Sequence, residues 1–319
     1  MDNHFIKNIE IKNYKLFKAF QSEGFERVNL ISGKNNVGKT AFMEACFLAA
    51  NATNVESIAG ALINLWFIRN YIECDDAPNT EILLEALDTL HIKTNIHNIN
   101  IRIASDEGQT YYHLHINGIQ IVRNKKEFSV NAHYTKHTNF LDNIGITYQE
   151  LVELYQAIQE NDKEDELNRA IQSFDNNIEK FKMFKDIPKV KTKGSDTYIE
   201  LKELGDGLKE FVSIICALYS CKNGFLFIDE IANGIHYSNL DKVWEIILTL
   251  SKEQNVQVFA TTHSKECIES FARVAKKLDD EKIAFIEMGI NKYGQPRSVV
   301  MNRERFLREL ETGNEVRGW

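Results

Sequence analysis

Proline is scarce, with 3 in 319 residues, and the 16 glycines form no Gly/Ser-rich or repetitive run. Without such a stretch there is no flexible linker to separate modules, so one continuous unit is expected. The length fits one large α/β domain with an inserted lobe, or two ordinary domains. Cysteine is sparse too. Cys46, Cys74, Cys216, Cys221 and Cys267 are scattered, odd in number and without CxxC spacing, which excludes a disulfide framework or zinc cluster and predicts reduced thiols in the core or on the surface. No run approaches about 18 apolar residues, the length a membrane helix needs. The opening stretch MDNHFIKNIEIKNYK places polar and acidic residues where a secretory signal needs an apolar core, so a cytoplasmic protein is expected. Positive charge is also in deficit, 38 Lys and Arg against 46 Asp and Glu, for a net charge of -8. That excludes a generally basic nucleic-acid binder but leaves room for a local basic patch.

Four segments carry chemistry. GKNNVGKT matches G-x-x-x-x-G-K-[ST] in full, with Gly33, Gly38, Lys39 and Thr40 at the fixed positions. A short β-type run, ERVNLIS, precedes it and the helix-forming TAFMEACFLAA follows. The loop therefore joins a strand to a helix N-terminus, where unpaired N–H groups and the helix dipole favour phosphate oxygens. Lys39 is expected to reach the β and γ phosphates of ATP and Thr40 to place its hydroxyl on Mg²⁺; the bland alternative is an ordinary Gly-rich turn. In GFLFIDEI, an apolar strand ends in Asp229 and delivers a carboxylate to a metal, and Glu230 is placed to activate a water. The alternative there is a solvated acidic strand end.

VQVFATTHS is another buried strand, ending in Thr262, His263 and Ser264 on the ligand edge of a parallel sheet, where a histidine can contact the γ-phosphate. In LKELGDGLKEFVSIICALYS, Gly205 and Gly207 precede an apolar-periodic helix and make a second N-terminus open to an anion. A purely structural helix start remains its rival.

The order of these pieces resembles that of ABC-type ATPases, and the wording resembles the soluble branch of RecF-type, chromosome-maintenance (SMC) and overcoming-lysogenization-defect (OLD) proteins. IEIKNYKLFKAF, VNLISGKNNVGKTAFMEA, FLFIDEIANGIHYSNLDKVWEII and VQVFATTHSKECIESF carry the likeness, over roughly residues 5–50 and 200–275. The resemblance implies an α/β RecF/SMC-head-like fold with a mixed, mainly parallel sheet, an N-terminal β subdomain and an inserted helical lobe. Within a single domain over 1–319, the nucleotide-binding lobe is expected at about 1–135 and 222–319 and the helical signature lobe at about 140–221. It also implies a head-to-head homodimer that sandwiches two ATP molecules. ATP would be held by Gly33, Asn35, Asn36, Gly38, Lys39, Thr40 and Ala41, with Lys15 on the nucleotide's outer side; Mg²⁺ would be held by Thr40 and Asp229. Glu230 would be the base and His263 the γ-phosphate sensor. Gly205, Gly207 and Lys209 would act in trans, and Gly234 to His236 would form the D-loop. The sequence departs from the pattern in LGDGLK, where Gly205 replaces the signature serine and Asp206 stands between the glycines. Gln120, Gln149 and Gln156 have no context that assigns a glutamine loop.

The insertion is expected to set the biological role. NVESIAGALINLWFIRNYIEC reads as an amphipathic helix, NINIRIASDEGQTYYHLHINGIQIV as β-hairpins, and YQELVELYQAIQ with ELNRAIQSFDNNIEKFKMF as two helices. No heptad pattern persists, so a compact helical lobe is expected instead of a coiled-coil arm. EKFKMFKDIPKVKTK interleaves Lys180, Lys182, Lys185, Lys189, Lys191 and Lys193 with Phe181 and Phe184. This is either a contact for DNA phosphates or a solvated face. After His263, a helix, a strand, a hairpin partner and a last helix are expected, with no acidic set for the Toprim nuclease domain of DNA-cutting OLD proteins. The reading is therefore a dimeric Mg²⁺-dependent ATPase, not itself a nuclease, that switches a separately encoded effector or DNA. Its rival is a scaffold gated by ATP occupancy; a membrane-transport ATPase is a third option.

Overall fold

The computed structural model describes residues 4–70, 89–106, 109–124 and 137–312. Its central sheet runs β15-β14-β3-β13-β12-β8. The strands are β3 (Val28–Gly33), β8 (Thr138–Leu141), β12 (Phe225–Ile228), β13 (Gln257–Thr262), β14 (Ile283–Ile290) and β15 (Pro296–Asn302). All neighbours pair in parallel except β14 and β15. β3, β12 and β13 are buried along their length, as parallel strands covered on both faces must be.

Alternation along these strands feeds two cores. Ile31, Phe227, Phe259, Ile286 and Met288 point to one face, where α1 (Lys39–Ala50) lies beneath an antiparallel sheet ordered β2-β1-β4-β5-β6-β7. That sheet comprises β1 (Asn8–Tyr14), β2 (Phe17–Glu23), β4 (Thr89–Thr94), β5 (Asn98–Asp106), β6 (Gln109–Ile116) and β7 (Ile119–Asn124). α1 is buried all round apart from Thr40, which explains its mostly apolar sequence. Phe227 anchors this layer: it stacks on Phe259 at 5.5 Å between centroids and meets Phe47 edge-on at 5.5 Å.

Leu30, Leu226, Ile228, Val258, Ala260 and Phe285 point to the other face. They pack with α5 (Asp206–Ser220), α6 (Leu240–Glu253), α7 (Lys265–Lys277) and α8 (Arg303–Glu311), and the core continues into the insertion. Cys46, Cys216, Cys221 and Cys267 are buried within these cores, where burial raises their thiol pKa values, to about 12 for Cys221 and Cys267. Cys74 lies outside the described residues.

The insertion departs from a helical lobe. α2 (Val55–Asn70) forms as a helix, though the end of the stretch read as that helix lies outside the described residues. α3 (Tyr148–Glu160) starts on a capping box in which Thr147 and Glu150 satisfy each other's backbone N–H. α4 (Glu164–Phe174) ends at Phe174, so the helix expected to run on through Phe184 is corrected. The turn at Asp175 to Asn177 is followed by a strand, β9 (Ile178–Phe184), paired with β10 (Ile187–Thr192) and then β11 (Tyr198–Glu200). Buried Ile178 and Phe181 among exposed polar residues, and a partner strand that begins after a two-residue turn, outweighed the helix-forming Lys and Glu. The lobe is thus two helices on a three-stranded sheet.

Replacing Phe227 with Ala removes the ring that joins α1 to the sheet. Unfolding free energy is expected to fall by about 3–5 kcal/mol in urea titration.

Candidate nucleotide site

The loop between β3 and α1 has the cradle conformation. Gly38 caps the helix at φ 101°, a left-handed value that favours glycine. Asn36 is also left-handed at φ 64°. Gly33 ends β3, Asn35 and Asn36 lie in the loop, and Ala41 is in the first turn of α1. Lys39 folds back over the loop, donating to the carbonyls of Gly33 at 3.0 Å and Lys34 at 3.2 Å, and is 7% exposed. An ammonium held by two carbonyls at a helix N-terminus is poised to exchange them for phosphate oxygens.

Parallel pairing of β3, β13 and β12 brings their carboxyl ends to one edge. There Thr40 Oγ1 donates to Asp229 Oδ2 at 3.2 Å. Thr261 Oγ1 donates to Asp229 Oδ1 at 2.5 Å and accepts the Glu230 backbone N–H at 2.8 Å. Glu230 has φ 53°, a strained value for a non-glycine that persists only where neighbours enforce it. Its carboxylate meets His263 Nδ1 at 2.8 Å. Thr40, Asp229, Thr261, Glu230 and His263 thus lie on one hydrogen-bonded string.

Burial raises the Asp229 carboxyl pKa, Thr261 and Thr40 counteract it through hydrogen bonds, and Glu230 and Glu44 raise it further. An oxygen-only pair, Thr40 with a desolvated and negatively crowded Asp229, fits Mg²⁺, which keeps several waters and takes few protein ligands. Among the described residues no cluster of three or more His, Cys, Asp or Glu forms a denser cation site.

Lys15 is drawn to the same region from the β1–β2 turn. Its ammonium pairs with Glu44 on α1, which is 2% exposed and also accepts from Tyr14 at 3.2 Å. Lys15 therefore neutralises a buried carboxylate one turn after Thr40. Thr262 ends β13 and accepts the Ser264 N–H at 3.1 Å, while its neighbour Thr261 makes the contact to Asp229.

Gly205 and Gly207 do open a helix, α5, and the fold joins them to the loop after Asp229. A Cβ on Gly207 would lie 2.6 Å from the carbonyl oxygen of Gly234, so only glycine admits this approach. Gly205, Asp206, Gly207, Gly234, His236, Asn239 and Lys242 line one cavity of about 590 Å³. The two segments read separately in the sequence are one surface. Lys209 and Glu210 follow in the first turns of α5.

Two residues had no sequence signal of their own. Thr261 was one of two adjacent threonines, and only strand parity distinguishes them. Asp142 follows β8, whose backbone pairs with the Asp229 N–H through Leu141 at 2.8 Å. Burial raises the Asp142 pKa, as do Glu150 and Asp229. This strand tip carries Asp142 and Asn143, whereas Gln120 lies on β7 and Gln149 and Gln156 on α3.

Solved structures share this architecture. The SMC head domain from Thermotoga maritima aligns over 93% of this chain and 98% of its own, with TM-score 0.51 and 16% identity. An Smc head bound to the C-terminal winged-helix domain of ScpA covers 94% and 99%, with TM-score 0.56 and 12% identity. An Smc head with an extended coiled coil bound to the C-terminal domain of ScpA, from Pyrococcus furiosus, covers 97% and 99%, with TM-score 0.54 and 13% identity. The fold is that of the SMC head domain. A family model described as an AAA ATPase domain matches residues 119–268. A Helicobacter pylori protein named ATP/GTP phosphatase is 24% identical over 86% of the chain and 89% of its own length. An uncharacterised protein of Methanocaldococcus jannaschii is 36% identical over 74 residues, 23% of this chain and 65% of that protein. Among the described residues no helix of the head is long and apolar enough to cross a membrane.

Thr261→Val orphans the Glu230 N–H and one Asp229 oxygen, so stability is expected to fall by about 1–3 kcal/mol in chemical denaturation. Glu210 supplies a pH test. Burial, opposed by Lys209 and reinforced by Asp142 and Asp206, pushes its pKa up from 4.5 to about 7. Between those values the folded state holds the proton that the unfolded state has lost, so this contribution to stability falls as pH rises. Glu210→Gln is expected to stabilise the head at pH 8 by on the order of 1–3 kcal/mol and to have little effect near pH 4, read from urea midpoints across pH.

Proposed function

We propose that this ABC-type head is a cytoplasmic, Mg²⁺-dependent ATPase that works as a head-to-head homodimer. The observation that carries this reading is the string of contacts from Thr40 through Asp229, Thr261 and Glu230 to His263. Gly33, Asn35, Asn36, Gly38 and Ala41 offer the loop and helix N-terminus that receive the triphosphate, and Lys39 turns from its carbonyls to the β and γ phosphates. Thr40 and Asp229 hold Mg²⁺, which when bound withdraws charge from the phosphates. Glu230 accepts a proton from the water whose oxygen attacks the γ-phosphorus as the bond to the bridging oxygen of ADP breaks. His263, 66% exposed at its side chain, orients Glu230 and faces the γ-phosphate. Lys15 neutralises Glu44 beside the nucleotide.

The cavity shared by Gly205, Gly207, Gly234 and His236 is the surface presented to the second head, with Lys209 and the α5 N-terminus meeting its triphosphate. The nucleotide-binding lobe then spans about 1–135 and 222–319 and the signature lobe about 140–221. By resemblance to OLD and SMC proteins, the switch serves DNA maintenance or defence against phage. It acts on an effector encoded separately, with DNA contacted through Lys180, Lys182, Lys185, Lys189, Lys191 and Lys193. Any nuclease or toxin activity would lie on that separate polypeptide.

A second reading, an ATP-gated scaffold with little turnover, draws on Asp206. Its carboxylate opens α5 where a partner's triphosphate would dock, and like charges repel there. Glu230→Gln separates the two. The ATPase reading expects phosphate release to fall about 100-fold or more, ATP binding to persist, and light scattering to show an ATP-dependent dimer. Equal and negligible release by parent and variant, with unchanged mass, would establish the scaffold instead.

A further inference from the structure

We propose that the outward face of the β9–β10–β11 sheet binds single-stranded nucleic acid. This deepens the DNA contact proposed above but does not depend on ATP turnover. The register sets Lys182 opposite Lys189 and Lys180 opposite Lys191, with Phe181 opposite Val190 between them. Directly paired residues share a face and alternate along the strands. Phe181 and Val190 are 1% and 0% exposed, so their side is the core and the lysines stand outside. Lys185 and Lys193 lie beyond the strand ends and are not part of the paired set.

Like charges directly opposite each other destabilise an antiparallel pair. Two such pairs in succession are unfavourable, and an anionic chain laid across them would relieve the repulsion that carboxylates at the Lys189 and Lys191 side leave. Nearby acids offset part of this charge: Lys191 pairs with Glu179 at 3.0 Å and is also drawn to Asp196, and Glu200, opposite Lys189 and attracted by it, pairs with Lys202 at 2.7 Å. Among the described residues Lys180 and Lys182 form no ion pair. A surplus of cations therefore persists here in a chain of net charge -8.

The same face carries an aromatic platform. Phe184, 42% exposed, has the strand parity of Lys180 and Lys182 and pairs with Ile187, 39% exposed. Tyr198, opposite Lys191 on β11, meets Phe184 edge-on at 4.9 Å, and Lys189 Nζ lies 5.8 Å from the Phe184 centroid. Bases in a duplex are already stacked on one another, so an aromatic ring rewards only a strand whose bases are free. Lysines along the strands for phosphates, and rings between them for bases, match a single strand laid across the sheet.

The test is fluorescence anisotropy on the full chain, without nucleotide, over a salt series. The probes are a labelled oligo(dT) of about 16 nucleotides, a duplex of equal length, and polyglutamate as an anion without bases. Oligo(dT) is expected to bind more tightly than the other two. Lys182→Gln with Lys189→Gln should weaken it at least tenfold and reduce the slope of log affinity against log salt by about 1.4, near 0.7 per lysine. That variant should unfold at a midpoint no lower than the parent's, since like charges have been relieved. Phe184→Ala should cost about 5- to 100-fold with the salt slope unchanged. Equal or tighter binding of duplex or polyglutamate, or indifference to Phe184→Ala, overturns the proposal. Because ATP is absent throughout, failure of the ATPase reading would appear only in the Glu230→Gln experiment.

Discussion

The Thr261 hydroxyl is the point on which the nucleotide site turns. It donates a hydrogen bond to the Asp229 carboxylate and accepts the N–H of Glu230, so one side chain on β13 fixes two consecutive residues at the tip of β12. Parallel pairing makes this possible: Ile228 lies beside Ala260, so the residues that follow emerge together at one edge. The left-handed turn at Glu230 is costly in isolation. It is retained because the hydroxyl and the His263 ring hold both ends of the residue.

A second constraint ties this site to the helix that faces the proposed partner head. α5 begins where the loop after Asp229 comes closest, and Gly207 leaves room for the Gly234 carbonyl. Glu210, one turn into α5, senses Asp142 at the tip of β8, and Asp142 senses Asp229. The chain of interacting acids therefore runs from Asp229 to the start of α5. Charge introduced or neutralised at the first has an electrostatic route to the second, through partly buried groups that solvent screens weakly.

The inserted lobe shows how a sheet can turn a dispersed charge pattern into a surface. Six lysines over residues 180–193 are unremarkable as a list, and a helix would have spread them around its circumference. A hairpin with Phe181 and Val190 facing the core sorts them by parity instead. The lobe rests on the core that also holds α6, α7 and α8, which gives the lysine face a rigid base.

Much of the head was legible in the sequence because its signals are local. The cradle needs glycines and a lysine at fixed offsets around one strand-to-helix turn, and buried parallel strands read as apolar runs ending in Asp229 and in Thr262 to Ser264. What the sequence could not resolve depended on pairing between distant segments. The stretch after Phe174 has the composition of a helix and became a strand because β10 was there to accept its hydrogen bonds. Thr261 and Thr262 are equivalent by composition, and only the register of β13 against β12 sends the first to Asp229. Asp142 became a site neighbour through the parallel pairing of β8 with β12, across more than 80 residues of chain. Sequence alone determined the phosphate-binding chemistry, since that chemistry is written in contiguous residues; tertiary structure decided which hydroxyl, acid and lysines share a face, since strand register is set only when both strands meet.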